Sequence, residues 1–145
     1  MQKILCLAAA ATLGCGRVAM ADESTAAIRD FGLLGTWASY CSAGYDRREP
    51  GLRVAFGAPP DGPPTYTTAH AEDGITTTVH AAVLEAAPAG AGRLRLRLQI
   101  TGGDRNGGPL PEPTTNPSEQ EIDKVEGQGI RVVGLDPRFI QKCPE

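Results

Sequence analysis

The sequence predicts an all-β domain, which we expect to be either a small antiparallel barrel of about eight strands or a β-sandwich. Gly- and Pro-rich clusters punctuate the chain at short intervals from residues 49–51 to residues 127–129. Gly reaches positive φ and Pro fixes φ, so both residue types favour turns. Several runs between these clusters alternate apolar and polar residues, which is the period of a strand with one wet face. Many short strands and little helical period are typical of a barrel or sandwich.

The clearest strand is predicted at residues 93–101, where leucines alternate with arginines. β-branched residues favour a second strand at 75–83, and the turn at 72–74 joins it to residues 66–70 as a hairpin. Residues 24–29 are predicted to form one or two helical turns. The remaining strands are predicted at residues 35–41, 52–56, 119–126, 130–133 and 138–142.

The first 21 residues have the three parts of a secretory signal. Lys3 gives a cationic start, an apolar run covers residues 4–13, and Ala19 and Ala21 fill a small-x-small cleavage site. A lipoprotein signal ending at Cys15 is the alternative, but Thr12 stands where that motif prefers Leu. We expect cleavage after Ala21, a single domain over residues 22–145, and a soluble protein in the periplasm or outside the cell.

Two cysteines remain after cleavage, Cys41 and Cys143. An even pair in an oxidising compartment predicts one disulfide. In an eight-stranded barrel, however, a first strand at 35–41 would place Cys41 opposite Arg138, roughly 15–20 Å from Cys143. A disulfide needs Cα atoms within about 7 Å. We therefore expect residues 129–135 to close the barrel, and the tail to run back along the wall to Cys41.

The charge of the chain excludes one class of partner. Cleavage removes Lys3 and Arg17 and leaves 12 basic residues against 17 acidic residues, a net charge of −5. Nucleic acid and anionic membranes both attract basic surfaces. We expect neither as the main partner, and no later stretch of the chain is apolar enough to span a membrane.

A short motif lies at the start of the first predicted strand, where Gly35, Thr36 and Trp37 follow residues 31–34. It resembles the Gly-x-Trp opening of the calycins, the group that includes lipocalins, fatty-acid-binding proteins and avidins. The resemblance implies an up-and-down barrel whose floor is closed by Trp37. It also implies a cation packed across the ring, supplied by Arg131 or Arg138.

His70 and His80 are the only histidines, and Glu72 and Asp73 lie near them. Imidazole and carboxylate groups can bind a metal ion. In a hairpin centred on Asp73, however, the two histidines lie about 13 Å apart along the ladder. We therefore expect no metal site.

Arg93, Arg95 and Arg97 form a cationic stripe on one strand face. One interpretation is a seat for an anionic group. The interpretation that we favour is a cross-strand ladder, because three acidic residues repeat with the same period on the next predicted strand. These are Glu119, Glu121 and Asp123.

Residues 102–117 are predicted to form a long connection at one end of the domain. Such connections often carry binding functions, so it is where we expect a partner site. A phosphate loop is not expected there, because the segment lacks a Lys-Ser/Thr ending and a following helix. No catalytic motif appears, so we predict no enzyme activity and no cofactor.

The sequence therefore predicts an exported binding module for an apolar or amphiphilic small molecule. A small barrel has room for one small ligand, and we expect inward residues to line the pocket. The candidates are Trp37, Val54, Phe56, Val79, Leu96 and Leu98. The alternatives are a protein-interaction or inhibitor domain, or a structural protein of the envelope, with no small ligand.

Overall fold

A computed structural model describes residues 12–41, 51–110 and 117–145. Their elements are one helix, α1 (Thr12–Asp30), and nine strands. The strands are β1 (Gly35–Ala38), β2 (Gly51–Gly57), β3 (Thr65–Glu72), β4 (Ile75–Pro88), β5 (Arg93–Arg105), β6 (Gly108–Pro109), β7 (Ser118–Val125), β8 (Gly129–Val132) and β9 (Gln141–Lys142).

The strands form a nearly closed antiparallel barrel, which confirms the predicted fold class. Eight strands follow the order β8-β7-β5-β4-β3-β2-β1-β9, and the short β6 pairs with β5. A bridge between Ile130 and Ile140 joins the two ends of this order, with backbone N–O distances of 3.0 and 2.7 Å. Closure leaves few unpaired backbone groups at the edges of the sheet.

α1 packs at one end of the barrel, which we call the helix end. Ile28 is fully buried there, and the Ser24 hydroxyl accepts a hydrogen bond of 3.1 Å from the Ala86 amide. Lys124 Nζ donates a bond of 2.7 Å to the carbonyl of Phe31. The helix is longer than the predicted 24–29, because it includes helix-forming residues such as Ala and Met before Ser24.

The opposite end of the barrel, which we call the mouth, carries two tight turns and the loop at residues 133–139. Asp73 and Gly74 have φ values of 52° and 76°, and they join β3 to β4 as the predicted hairpin. Positive φ at both central residues matches the twist of the flanking strands. The hairpin is centred between Asp73 and Gly74 and not on Asp73 as predicted, so that Glu72 lies opposite Ile75 and His70 lies opposite Thr77.

The disulfide between Cys41 and Cys143 is confirmed, with Cα atoms 5.3 Å apart. The predicted path of the tail is wrong, because β9 itself closes against β1 and pairs Lys142 with Trp37. The expected conflict in distance rested on a first strand that reached Cys41. β1 instead ends at Ala38 and the chain bends at Ser39, which brings Cys41 back to Cys143.

The predicted long connection at residues 102–117 is also corrected. β5 continues to Arg105, and a turn at Asn106 and Gly107 leads into β6. The sequence did not indicate this extension, because Gly102 and Gly103 are poor strand residues on their own. They extend the strand because β4 pairs with it as far as Arg105. Residues 111–116 lie outside the described part of the chain.

Candidate functional site

Five of the six candidate ligand-lining residues lie in the apolar core. Their exposed fractions range from 0% to 5%, and they pack in one cluster with residues from α1 and β8. They are Trp37, Val54, Phe56, Leu96 and Leu98. Val79 is only half-buried and lies closer to the mouth. A ligand role for any of the six stays a prediction.

Trp37 lies on β1, where it pairs with Val54 of β2. Its indole Nε1 donates a hydrogen bond of 2.8 Å to the carbonyl of Leu33, which is itself fully buried. This bond satisfies the polar end of a buried aromatic side chain, and it ties β1 to the segment that follows α1. Trp37 therefore packs at the helix end, where the calycin resemblance implies a plug.

The two arginines implied by that resemblance have acidic partners. Arg131 Nη2 lies 2.6 Å from the Asp123 carboxylate, and its guanidinium lies over the ring of Phe139 at 5.1 Å. Arg138 binds Asp136 through Nε and Nη2. Arg131 lies on β8, and Arg138 lies on the loop that follows it.

The inner face of β3 carries a line of polar side chains that leads from the core to the mouth. Tyr66, Thr68 and His70 alternate along the strand, and they lie opposite three buried apolar residues of β2. Those partners are Phe56, Val54 and Leu52. Directly paired residues share one face of a sheet, so the polar line faces inward. We call these three residues the β3 polar line.

A cavity of about 280 Å³ lies where the β3 polar line reaches the mouth. Its walls come from β3, the turn after it, β4 and β5. They are formed by His70, Glu72, Asp73, Ile75, Thr77 and Arg105. We call this space the mouth cavity. Most of its walls are polar, unlike the leucine-rich core beneath it.

Asp136 lies in the loop of the mouth, and it is buried with 5% exposure. Arg138 donates hydrogen bonds of 3.0 Å and 2.8 Å to its two carboxylate oxygens. These bonds hold the pKa of Asp136 below its usual value, and the positive charge of His70 adds to this lowering. The loop is therefore fixed by a charged pair beside the β3 polar line.

The hydroxyl group of Tyr66 is buried and has no hydrogen-bond partner among the described residues. The ring packs against Phe56 with centroids 5.3 Å apart. Burial raises the pKa of this phenol above its ordinary value. A buried polar group without a partner costs free energy, so Tyr66 is unusual within the core.

A larger groove, of about 1120 Å³, lies outside the barrel between α1 and the loop at residues 58–63. Thr25 and Arg29 line its α1 side, and prolines line the loop side. A register shift between Val83 and Glu85 leaves Leu84 without a direct partner and 37% exposed. Bulges of this kind redirect a side chain. We call this space the α1 groove.

The arginine stripe of β5 lies opposite the acidic residues of β7, as the ladder interpretation predicts. Arg93 pairs with Asp123, Arg95 with Glu121 and Arg97 with Glu119 in the strand ladder. Ion pairs are formed by Arg93 at 2.6 Å and by Arg95 at 3.5 Å. The ladder interpretation accounts for both stripes, and the contact with an anion stays a prediction.

The two histidines lie on opposite faces of the sheet. His80 is exposed and pairs with Thr67, whose hydroxyl lies 3.2 Å from its Nδ1. His70 faces inward on the neighbouring strand. Within the described ranges, no group of three or more His, Cys, Asp and Glu side chains is arranged to hold a metal ion.

Sequence reasoning missed Tyr66 and Thr68 as inward residues, and it missed the buried Asp136. A signal for the first two was present, because Tyr66, Thr68 and His70 alternate with the same period as the buried residues of β2. Asp136 had no such signal, since its burial depends on the path of a loop.

The fold defines a small antiparallel β-barrel with one end packed by a helix. Comparisons with protein-family models, with curated proteins and with solved structures found no match. The resemblance to calycins stays a prediction that rests on residues 35–37. In the part of the chain that the structure describes, no helix is both long and apolar enough to cross a membrane.

Proposed function

We propose that the protein is an exported binding module that takes a small amphiphilic molecule at the mouth of its barrel. The observation that carries the proposal is the β3 polar line, which runs inward from the mouth cavity to the hydroxyl of Tyr66. This hydroxyl has no hydrogen-bond partner within the described ranges of the chain. Polar groups that face the interior of a barrel lower its stability unless water or a ligand binds them. A ligand with one polar end would satisfy them.

The two halves of the barrel differ in their room for a guest. Near the helix end, Leu94, Leu96 and Ile122 are almost fully buried together with Ile28 of α1. Near the mouth, Val79 and Thr77 are only half-buried and line the inner face beside the β3 polar line. We call Leu94, Leu96 and Ile122 the leucine layer, and we propose that the ligand lies between this layer and the mouth. A volume of about 280 Å³ suits a small molecule rather than a long lipid.

Export is part of the proposal, with cleavage after Ala21. The side chains that fasten α1 to the barrel, Ser24 and Ile28, both lie beyond that position. Asp22 and Glu23 would open the shortened helix, and acidic residues in a first turn favour a helix. The disulfide is consistent with an oxidising compartment. We propose the periplasm or the extracellular space.

The proposal is tested with N-phenyl-1-naphthylamine, an uncharged apolar dye that becomes fluorescent in protected sites. Val79→Phe should fill the inner wall below the mouth and weaken dye binding at least tenfold. Leu84→Ser alters the α1 groove and is the matched control, with expected affinity equal to the wild type. Absence of dye binding to the wild type would reject the proposal. The same dye affinity in Val79→Phe and Leu84→Ser would also reject it. Circular dichroism checks that each variant is folded.

The second candidate function is protein binding at the α1 groove. The exposed Leu84 lies there among charged side chains, and none of those described forms an ion pair. An apolar centre with a polar rim is typical of protein interfaces. Loss of dye binding in Leu84→Ser, with Val79→Phe unchanged, would favour this candidate.

A further inference from the structure

We infer that the mouth cavity selects ligands with an anionic group, which binds to a row formed by His70, Thr77 and Arg105. This inference rests on the proposed function, because it names the class of ligand for the same site. The strand pairing, the charges of the neighbours and the buried hydroxyl below the row each support it.

The row crosses three neighbouring strands at one level of the barrel. His70 of β3 lies opposite Thr77 of β4, which lies opposite Arg105 of β5. The pairs continue the inward face marked by the buried Leu52 of β2. Neighbouring strands are about 4.8 Å apart, so the backbones of His70 and Arg105 are separated by about 10 Å. Their side chains can converge above Thr77.

The neighbouring charges leave Arg105 available. Arg93 and Arg95 pair with carboxylates on the outer face, whereas Arg105 takes part in none of the ion pairs within residues 51–110 and 117–145. Glu72 and Asp73 lie beyond the row of His70, Thr77 and Arg105, at the hairpin turn that joins β3 to β4. Asp136 interacts electrostatically with His70, but both oxygens of its carboxylate accept bonds from Arg138.

Thr68 and Tyr66 extend the site below the row. Thr68 is 8% exposed and Tyr66 is 4% exposed, and both face inward. The Tyr66 hydroxyl is more than nine-tenths buried and has no partner among the described residues. A second polar atom of the ligand, or a water molecule that it traps, would satisfy this hydroxyl.

These groups match an oxyanion in chemistry. A guanidinium donates two parallel hydrogen bonds to a carboxylate, sulfonate or phosphate, and an imidazole N–H and a hydroxyl each donate one more. Val79 and Ile75 supply apolar contact beside the row. The preferred ligand is therefore a small molecule with an anionic head and a short apolar body.

The inference is tested by comparing two dyes on the mature oxidised protein. 1-Anilinonaphthalene-8-sulfonate carries an anionic group, and N-phenyl-1-naphthylamine has a similar apolar body without charge. Arg105→Gln should weaken binding of the sulfonate dye about tenfold and leave the neutral dye unchanged. Arg97→Gln is the matched control, because Arg97 lies on the outer face of the same strand. It should bind both dyes as the wild type does.

Displacement of the sulfonate dye then defines the head group. Octanoate and octyl phosphate should both displace the dye at least tenfold better than octanol. Comparison of octanoate with octyl phosphate then shows whether the site prefers a carboxylate or a phosphate. His70→Gln should reduce this preference as a second, independent variant.

Three results would overturn the inference, and they differ in what they imply for the proposed function. If Arg105→Gln binds both dyes as the wild type does, the anion preference is wrong while the mouth remains a binding site for neutral molecules. If neither dye binds to the wild type, the proposed function fails together with the inference. A loss of sulfonate binding in Arg97→Gln alone would place the anion at the α1 groove, and it would also overturn the inference.

Discussion

Arg93 lies directly opposite Asp123 in the pairing of β5 with β7, and its Nε donates a hydrogen bond of 2.6 Å to Asp123 Oδ1. Arg131 of β8 donates a second bond of 2.6 Å to the other carboxylate oxygen. Asp123 is 8% exposed, so it bridges three strands from a protected position. Its hydrogen bonds with Arg93 and Arg131 hold its pKa below the usual value.

We expect Asp123→Asn to lower the free energy of unfolding by about 1–3 kcal/mol, because bonds to a charged acceptor are lost. Urea unfolding followed by circular dichroism measures the change. Glu119→Gln is the control, since Glu119 is exposed and lies at the start of the same strand. It should change stability by less than about 0.5 kcal/mol. Equal stability of the two variants would contradict the bridging role of Asp123.

The stability of the protein should fall in acid because of two carboxylates. The pKa values of Asp123 and Asp136 are both lowered in the folded state. Their contribution is therefore complete above the unfolded value of about 3.9, and it is lost as the pH falls through the lowered folded values. Melting temperatures between pH 7 and pH 2 should show this decline. The decline should be smaller in Asp123→Asn, and an equal decline would contradict the assignment.

Removal of the disulfide should destabilise the fold strongly. Cys41 and Cys143 are 102 residues apart in the sequence, and the chain-entropy relation gives a stabilisation of up to about 4–5 kcal/mol for such a loop. Urea unfolding with and without dithiothreitol measures it. The variant with Cys41→Ala and Cys143→Ala is the control, because reductant should not change it. An unchanged wild-type transition on reduction would show that the bond adds no stability.

Much of the barrel could be predicted because local period and strand pairing agree. The alternation of Arg93, Arg95 and Arg97 with leucines placed the arginines on the outer face, and the same period in β7 supplied their acidic partners. Asp73 and Gly74 marked the hairpin. These features depend on neighbours in sequence or on adjacent strands, so the sequence contains enough information to predict them.

The closure of the barrel and the site depended on contacts between distant residues. β1 ends at Ala38, where the chain turns so that Cys41 can meet Cys143, and the residues around Ser39 gave no turn signal. Likewise, the inward orientation of Tyr66, Thr68 and His70 could be assigned only from their pairing with the buried residues of β2. Whether an inward residue lines a cavity or fills the core depends on packing density, which the alternation of a strand does not encode.

Truncation of a leucine in the core should reveal how tightly the barrel is filled. Leu96 is fully buried in β5, so we expect Leu96→Ala to lower the free energy of unfolding by about 2–5 kcal/mol. Arg97→Ala alters the adjacent outward position and should cost less than about 1 kcal/mol. Urea unfolding compares the two. A loss below about 1 kcal/mol for Leu96→Ala would indicate open space beside this residue. It would then favour a ligand site lined by Leu96 within the core over a site at the mouth.

Replacement of Tyr66 by Phe isolates the buried hydroxyl from the ring that packs against Phe56. In the ligand-free protein, the hydroxyl has no partner among the described residues, and its removal deletes an unsatisfied polar group while it keeps the shape. We therefore expect Tyr66→Phe to unfold at the same or a higher urea concentration than the wild type, with a gain of up to about 1–3 kcal/mol.

The same variant should bind the sulfonate dye or octanoate more weakly only if the ligand or its trapped water reaches Tyr66. Phe56→Leu serves as the control, because it alters the packing of the ring and leaves the hydroxyl in place. A loss of more than about 1 kcal/mol in ligand-free Tyr66→Phe would show that the hydroxyl already has a partner in solution. The β3 polar line would then be a structural network, and its value as support for a ligand site would disappear.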